Sequence, residues 1–117
     1  MIAVAVAIAG ALGAPARFVL ERAITARSGH RFPWGTLAVN LTGCLLLGAL
    51  AGAVEFHGWS LDTRTMLGVG FLGAFTTFSA FAVEADRLPT GRRTAYLTAS
   101  AVGGIVLAGA GLALASL

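Results

Sequence analysis

Four apolar runs occupy most of this chain: Ile2 to about Ala23, Thr36 to about Val54, Thr65 to about Val83, and Thr94 to Leu117. A helix rises about 1.5 Å per residue, so roughly 20 residues cross a hydrocarbon core about 30 Å thick. Each run has the length of a membrane span. The connections, Ile24–Gly35, Glu55–Arg64 and Glu84–Arg93, leave no room for an extramembrane domain. Composition agrees: 57% of residues are apolar and 11% charged, where soluble domains carry about 25% charged residues. A chain this poor in charge must present its surface to lipid. The expected fold is an all-α membrane protein, a single domain over residues 1–117 with four transmembrane helices. Residues Met1–Leu12 have no basic segment before them, and the run continues beyond the apolar core of a signal peptide, so it reads as a retained helix.

All eight basic residues are arginine. Four spans place the first and third loops on one side, which gathers Arg22, Arg27, Arg31, Arg87, Arg92 and Arg93 against Arg64 on the other. Cytoplasmic loops collect basic residues. The bias predicts a multi-pass plasma-membrane protein with those loops in the cytoplasm and both termini outside. It also accounts for the basic balance without nucleic acid, for which no binding motif is present. Trp34 and Trp59 fall at span ends, as interfacial aromatics do. Cys44 is the only cysteine, and His30 and His57 lie in different loops. No metal-ligand cluster and no nucleophile–base pair is visible, so the chain does not read as an enzyme.

The third run departs from an ordinary span. Residues 71–84 read Phe-Leu-Gly-Ala-Phe-Thr-Thr-Phe-Ser-Ala-Phe-Ala-Val-Glu. Lipid offers no hydrogen bonds to freed backbone groups, so a break there belongs where a span lines a pathway or holds an ion. A break near Gly73 and Thr76 would expose carbonyls that suit a cation. The alternative is that Thr76 and Thr77 bond back to the preceding turn. Phe75, Phe78 and Phe81 recur at i,i+3 and would share one helix side. Such a stripe is either packing or, beside Thr76, Thr77 and Ser79, a set of positively polarised ring edges facing an anion. Glu84 ends the run at the expected interface.

Other polar residues sit inside the remaining spans. Arg17 either faces a watery cavity, where it would attract anions, or snorkels to the interface. Asn40 either bonds a neighbouring helix or offers its NH2 to a passing anion. Gly43 and Leu47 continue its face. Tyr96 and Ser100 are at i,i+4 and can form a line of hydroxyls near the interface. Small residues pair at i,i+4 in Ala9–Gly13, Gly10–Ala14, Gly48–Gly52 and Gly109–Ala113, which lets helix backbones approach closely, within the chain or against a second copy.

Three segments together resemble the Fluc (CrcB-type) fluoride channels: Gly10-Ala11-Leu12-Gly13-Ala14-Pro15-Ala16-Arg17-Phe18, Gly35-Thr36-Leu37-Ala38-Val39-Asn40-Leu41-Thr42-Gly43-Cys44, and Gly70 through Glu84. The resemblance implies a passive, anion-selective channel that expels fluoride, built as an antiparallel dimer with two pores. It implies that Phe78 and Phe81 contact fluoride through their ring edges, that Asn40 is a pore donor and Arg17 a vestibule arginine. It further implies that Ser79 and Thr77 line the path, that Tyr96 and Ser100 form a hydroxyl track, and that the carbonyls of Gly73 and Thr76 offer ligands to a central structural Na⁺. Ala80 stands where many relatives carry Thr and Gly104 where some carry Ser, so the track is thinner here.

The arginine bias conflicts with an antiparallel homodimer, which needs a chain that inserts both ways. Pairing with an oppositely oriented homologue resolves the conflict. Two other classes fit the size: a small four-helix multidrug-type exporter and a non-transporting membrane assembly subunit. The exporter needs a carboxylate deep in the first span, whereas Glu21 is expected at its end beside Arg22.

Overall fold

A computed structural model describes all residues, Met1–Leu117, and consists of helices and short turns without strands. Helix α1 (Ile2–Ser28) and helix α2 (Trp34–His57) form the first two spans. The third span, Leu61–Arg87, is composite. It opens with α3 (Leu61–Arg64), widens into a π-helical stretch (Thr65–Leu72) and narrows to α4 (Gly73–Phe75). After a break it resumes as α5 (Phe78–Arg87). Helix α6 (Thr90–Ala115) is the fourth span. All four are long and apolar enough to cross a membrane, with mean hydropathy between 1.7 and 2.0.

The helices outlast the apolar runs, and the connections shrink to Gly29–Pro33, Gly58–Ser60 and Leu88–Pro89. Arg, Glu, Ala and Thr continue a helical ladder as it leaves lipid, and the ladder stops only where backbone chemistry stops it. Gly58, at φ 70°, closes α2 by donating its N–H to the Ala53 carbonyl, and Ser60 caps α3 by accepting the Thr63 N–H. These are the usual glycine and serine boundaries. Pro89 precedes α6.

Glycine decides how the spans meet. Helices α2 and α6 form the most extensive contact. A Cβ on Gly104 would meet Cys44, one on Gly48 the Ala108 carbonyl, and one on Gly52 Leu112 and Ala115. Contacts that advance together along both helices mean that the two run parallel. Helix α1 packs on the π-helical stretch in the same way, with Gly13 against the Phe71 carbonyl and Gly70 against Val6 and Ala9. The Ala9–Gly13 and Gly48–Gly52 pairs therefore serve contacts within the chain. Gly109 faces open space. Two small buried clusters complete the interior, one around Leu37, Ala85, Leu88 and Tyr96, the other around Val39, Leu50, Leu72 and Phe75.

Candidate functional site

The third span breaks at Thr76 and Thr77, whose backbones are extended (φ −82°, ψ 160° and φ −148°, ψ 123°). In an unbroken helix the Thr77 N–H would bond the Gly73 carbonyl. Here it donates to Asn40 Oδ1 at 2.9 Å, and Asn40 Nδ2 donates to the Thr77 carbonyl at 2.9 Å. A single side-chain amide on α2 thus satisfies both polar groups of the residue at the break. Thr77 Oγ1 accepts the Ala80 N–H at 3.2 Å and caps α5, while the Thr76 hydroxyl donates to the Leu72 carbonyl at 2.9 Å. Gly43 makes room for this arrangement, since a Cβ there would run into Thr76 Cγ2.

The two threonines expected to bond back to the preceding turn behave differently. Thr76 bonds back to the preceding turn; Thr77 starts the next helix. Asn40 bonds a neighbouring element and still has one N–H in reserve, because an amide carries two donors. The break also frees carbonyls. The Gly73 oxygen loses its donor to Asn40, and the Thr76 oxygen loses the Ala80 N–H to Thr77 Oγ1. Gly73 itself remains helical (φ −61°, ψ −37°).

A groove of about 510 Å³ brings together Asn40, Thr76, Thr77, Phe78, Phe81 and Ser100, with Gly73 and Cys44 also on its walls. The Phe78 and Phe81 rings lie 5.7 Å apart, and Phe78 is 78% exposed on the outer face. Phe81 leans on Tyr96 at 5.2 Å. Phe75 does not join them. The break turns the chain between Phe75 and Phe78, and Phe75 is buried, stacked on Phe71 at 5.8 Å. The i,i+3 spacing misplaces it because that spacing holds only along a continuous helix.

Tyr96 is fully buried, and its hydroxyl has no protein partner. Ser100 Oγ one turn later is also buried and unpartnered. Ser79 is exposed, and its hydroxyl reaches Thr77 Oγ1 at 3.3 Å. Arg17 stands away from the groove. Its Nε points to the Ala74 carbonyl at 3.4 Å, and Nη1 lies 3.8 Å from Glu21, so its head is held inside the protein.

Beyond the groove, a second cavity of about 460 Å³ opens between the first and third connections. Glu21, Glu84 and Thr36 line it, with Arg31, Arg87 and Arg92. Thr36 donates to Glu84 Oε1 at 2.9 Å, while Glu84 Oε2 is buried without a partner and Glu21 Oε1, also buried, has only the Arg17 guanidinium at 3.8 Å. Sequence reasoning passes over Thr36, although its i−4 spacing from Asn40 places it on the same helix face. Glu21 and Glu84 lie inside helices that extend past the apolar runs, so neither marks a helix end.

Comparison with known proteins finds relatives along nearly the whole chain. Residues 4–112 match the family model described as "CrcB-like protein, Camphor Resistance (CrcB)". A protein of Novosphingobium aromaticivorans named "Fluoride-specific ion channel FluC" is 49% identical over 89% of this chain and 83% of its own length. "Fluoride-specific ion channel FluC 1" of Symbiobacterium thermophilum is 46% identical over 96% and 94%, and that of Leifsonia xyli 43% over 97% and 85%.

Proposed function

Since this chain belongs to the CrcB family, we propose that it is a fluoride-specific passive ion channel that lets fluoride leave the cytoplasm across the plasma membrane. The observation that carries the reading is the groove in which Asn40, Phe78, Phe81 and Ser100 converge beside a broken helix. Fluoride holds its water strongly, so a pathway must offer replacement donors at close range. The spare Asn40 N–H, the Ser100 and Tyr96 hydroxyls and the ring edges of Phe78 and Phe81 are such groups. Several weak sites in succession also let the ion leave. Ser79 and Thr77 complete the groove's outer lip. Arg17 acts from a distance, as a fixed positive charge that raises the local anion concentration.

The groove is open on the outer side of the chain, where Phe78 is exposed, and a second subunit in antiparallel orientation would close it. The freed Gly73 and Thr76 carbonyls fit a hard cation such as Na⁺, which takes oxygen ligands. Two carbonyls from one chain are a partial set, so the ion would lie where a second subunit adds its own pair. Its role there would be structural, holding the two breaks together. The arginine bias favours loops one and three in the cytoplasm and termini outside. It also favours pairing with an oppositely oriented homologue over a homodimer.

The test is fluoride release from liposomes containing this purified chain alone, read with a fluoride electrode beside a chloride control. Fast fluoride release without chloride establishes the channel and shows that the chain forms a working dimer by itself, which would refute the paired-homologue reading. A well-formed dimer that releases no fluoride refutes the channel.

A further inference from the structure

The geometry points to Arg93 as a positioning residue that fixes the pore helix α5 from its C-terminal end. This inference deepens the channel reading and rests on it for its effect on flux. Because the third span is severed at Thr76–Thr77, α5 does not inherit its orientation from the rest of that span. It is a ten-residue segment, and it carries Phe78, Phe81 and Glu84. Asn40 and Thr77 hold its N-terminal end.

Its C-terminal end has no glycine in the left-handed conformation to close it. Leu88 is extended (φ −83°, ψ 145°), and its N–H returns to the Ala85 carbonyl. The last-turn carbonyls of such a helix need other donors. Arg93 supplies them from the first turn of α6: Nε donates to the Ala85 carbonyl at 2.9 Å, and Nη2 donates to those of Asp86 at 2.9 Å and Leu88 at 3.1 Å. The guanidinium makes no ion pair. A positive charge at a helix C-terminus also meets the negative end of the helix dipole. One turn further along α6, Tyr96 packs on Phe81 at 5.2 Å. Helix α6 thus grips α5 twice, through Arg93 at its end and Tyr96 at its pore-facing ring, and Glu84 lies between the grips. The arginine that the sequence offers only as a topological charge also sets where the pore side chains stand.

Wild type, Arg93→Ala, Arg93→Lys and Arg27→Ala are compared for fluoride release from liposomes and for hydrogen exchange across residues 81–88. Arg27 lies in the last turn of α1 and makes no ion pair, so Arg27→Ala removes the same charge from the same face and controls for charge alone. Arg93→Ala is expected to slow fluoride release roughly tenfold or more, as the loss of even one charge-assisted hydrogen bond at an aligned site would. Added free guanidinium at sub-denaturing concentration should restore part of that flux, with no effect on wild type or Arg27→Ala. Lysine cannot span three carbonyls with a planar fork, so Arg93→Lys should fall between wild type and Arg93→Ala. A folded Arg93→Ala that conducts at the wild-type rate overturns the proposal, as does an Arg27→Ala equally slow. If Arg93→Ala does not fold, a wild-type rate in Arg93→Lys overturns it instead. Should a well-formed wild-type dimer release no fluoride, the channel reading fails; should wild type not dimerise, no flux is read. In both cases the clamp is judged by exchange alone: faster exchange at 81–88 in Arg93→Lys supports it, and unchanged exchange refutes it.

Discussion

Replacing Asn40 by alanine tests whether the break is held by one side chain. The amide makes two hydrogen bonds of 2.9 Å to the N–H and C=O of Thr77. Alanine leaves both backbone groups without a partner in a partly buried, lipid-enclosed position. Each such group costs about 1 to 3 kcal/mol, so the local loss is about 2 to 6 kcal/mol before relaxation. Partial relaxation would still leave roughly 1.4 kcal/mol, which is tenfold in an opening equilibrium. Hydrogen exchange of the Thr77 and Ala80 amides in purified protein reads this directly, and both should exchange at least roughly tenfold faster in Asn40→Ala. Asn40→Asp provides the discriminating case. Its carboxylate still accepts the Thr77 N–H but cannot donate to the Thr77 carbonyl, so the loss should be intermediate while fluoride flux falls from the added negative charge. A folded Asn40→Ala with wild-type protection at Thr77 would refute the clamp and leave Asn40 as a pore donor alone.

Gly48→Ala drives a Cβ into the Ala108 carbonyl and should abolish recovery of folded protein by size exclusion, whereas Gly91→Ala, which meets nothing, should be recovered normally. Gly104→Ser places a Cβ 3.2 Å from the Cys44 sulfur; alone it should lower thermal stability, and combined with Cys44→Gly it should recover, a non-additivity measurable by a double-mutant cycle. Thr36→Val removes the donor to Glu84 Oε1 at nearly constant volume and should reduce fluoride release, while Glu84→Gln, which keeps an acceptor for Thr36, should be recovered folded by size exclusion.

Span number, loop placement and the site of interruption were readable because lipid imposes one-dimensional rules: length, apolarity and the cost of an unpaired backbone. The residues that met the break were also readable in kind, since Thr-Thr and Asn inside apolar runs have few other uses. Three-dimensional consequences were not. Phe75 shares the spacing of Phe78 and Phe81 and still faces the other way, because periodicity cannot see a break it runs across. Nothing in the sequence marks Tyr96 as fully enclosed by protein, packed with Leu37, Ala85 and Leu88. Glu21 and Thr36 gain meaning only once α1, α2 and α5 enclose one cavity. Arg93 carries no local mark that separates it from Arg92.

The polar groups inside the spans fall into two sets, and the division bears on what passes between them. Asn40, Thr76, Thr77, Arg17 and Arg93 direct donors at backbone carbonyls or accept backbone N–H groups. These bonds keep a severed helix in place. Tyr96 Oη, Ser100 Oγ and Glu84 Oε2 are buried and bond no protein group. In hydrocarbon an orphaned hydroxyl is costly, and a second copy of a lipid-facing helix would not repair it. Tyr96 and Ser100 follow one another along α6, Ser100 opens onto the groove that holds Asn40, and Glu84 opens onto the cavity beyond it. Of the two hydroxyl residues, Ser100 lines the groove and Tyr96 lines neither recess. On the proposed channel reading, an ion that exchanges partners step by step would use groups such as these, whose hydrogen bonds are not already committed.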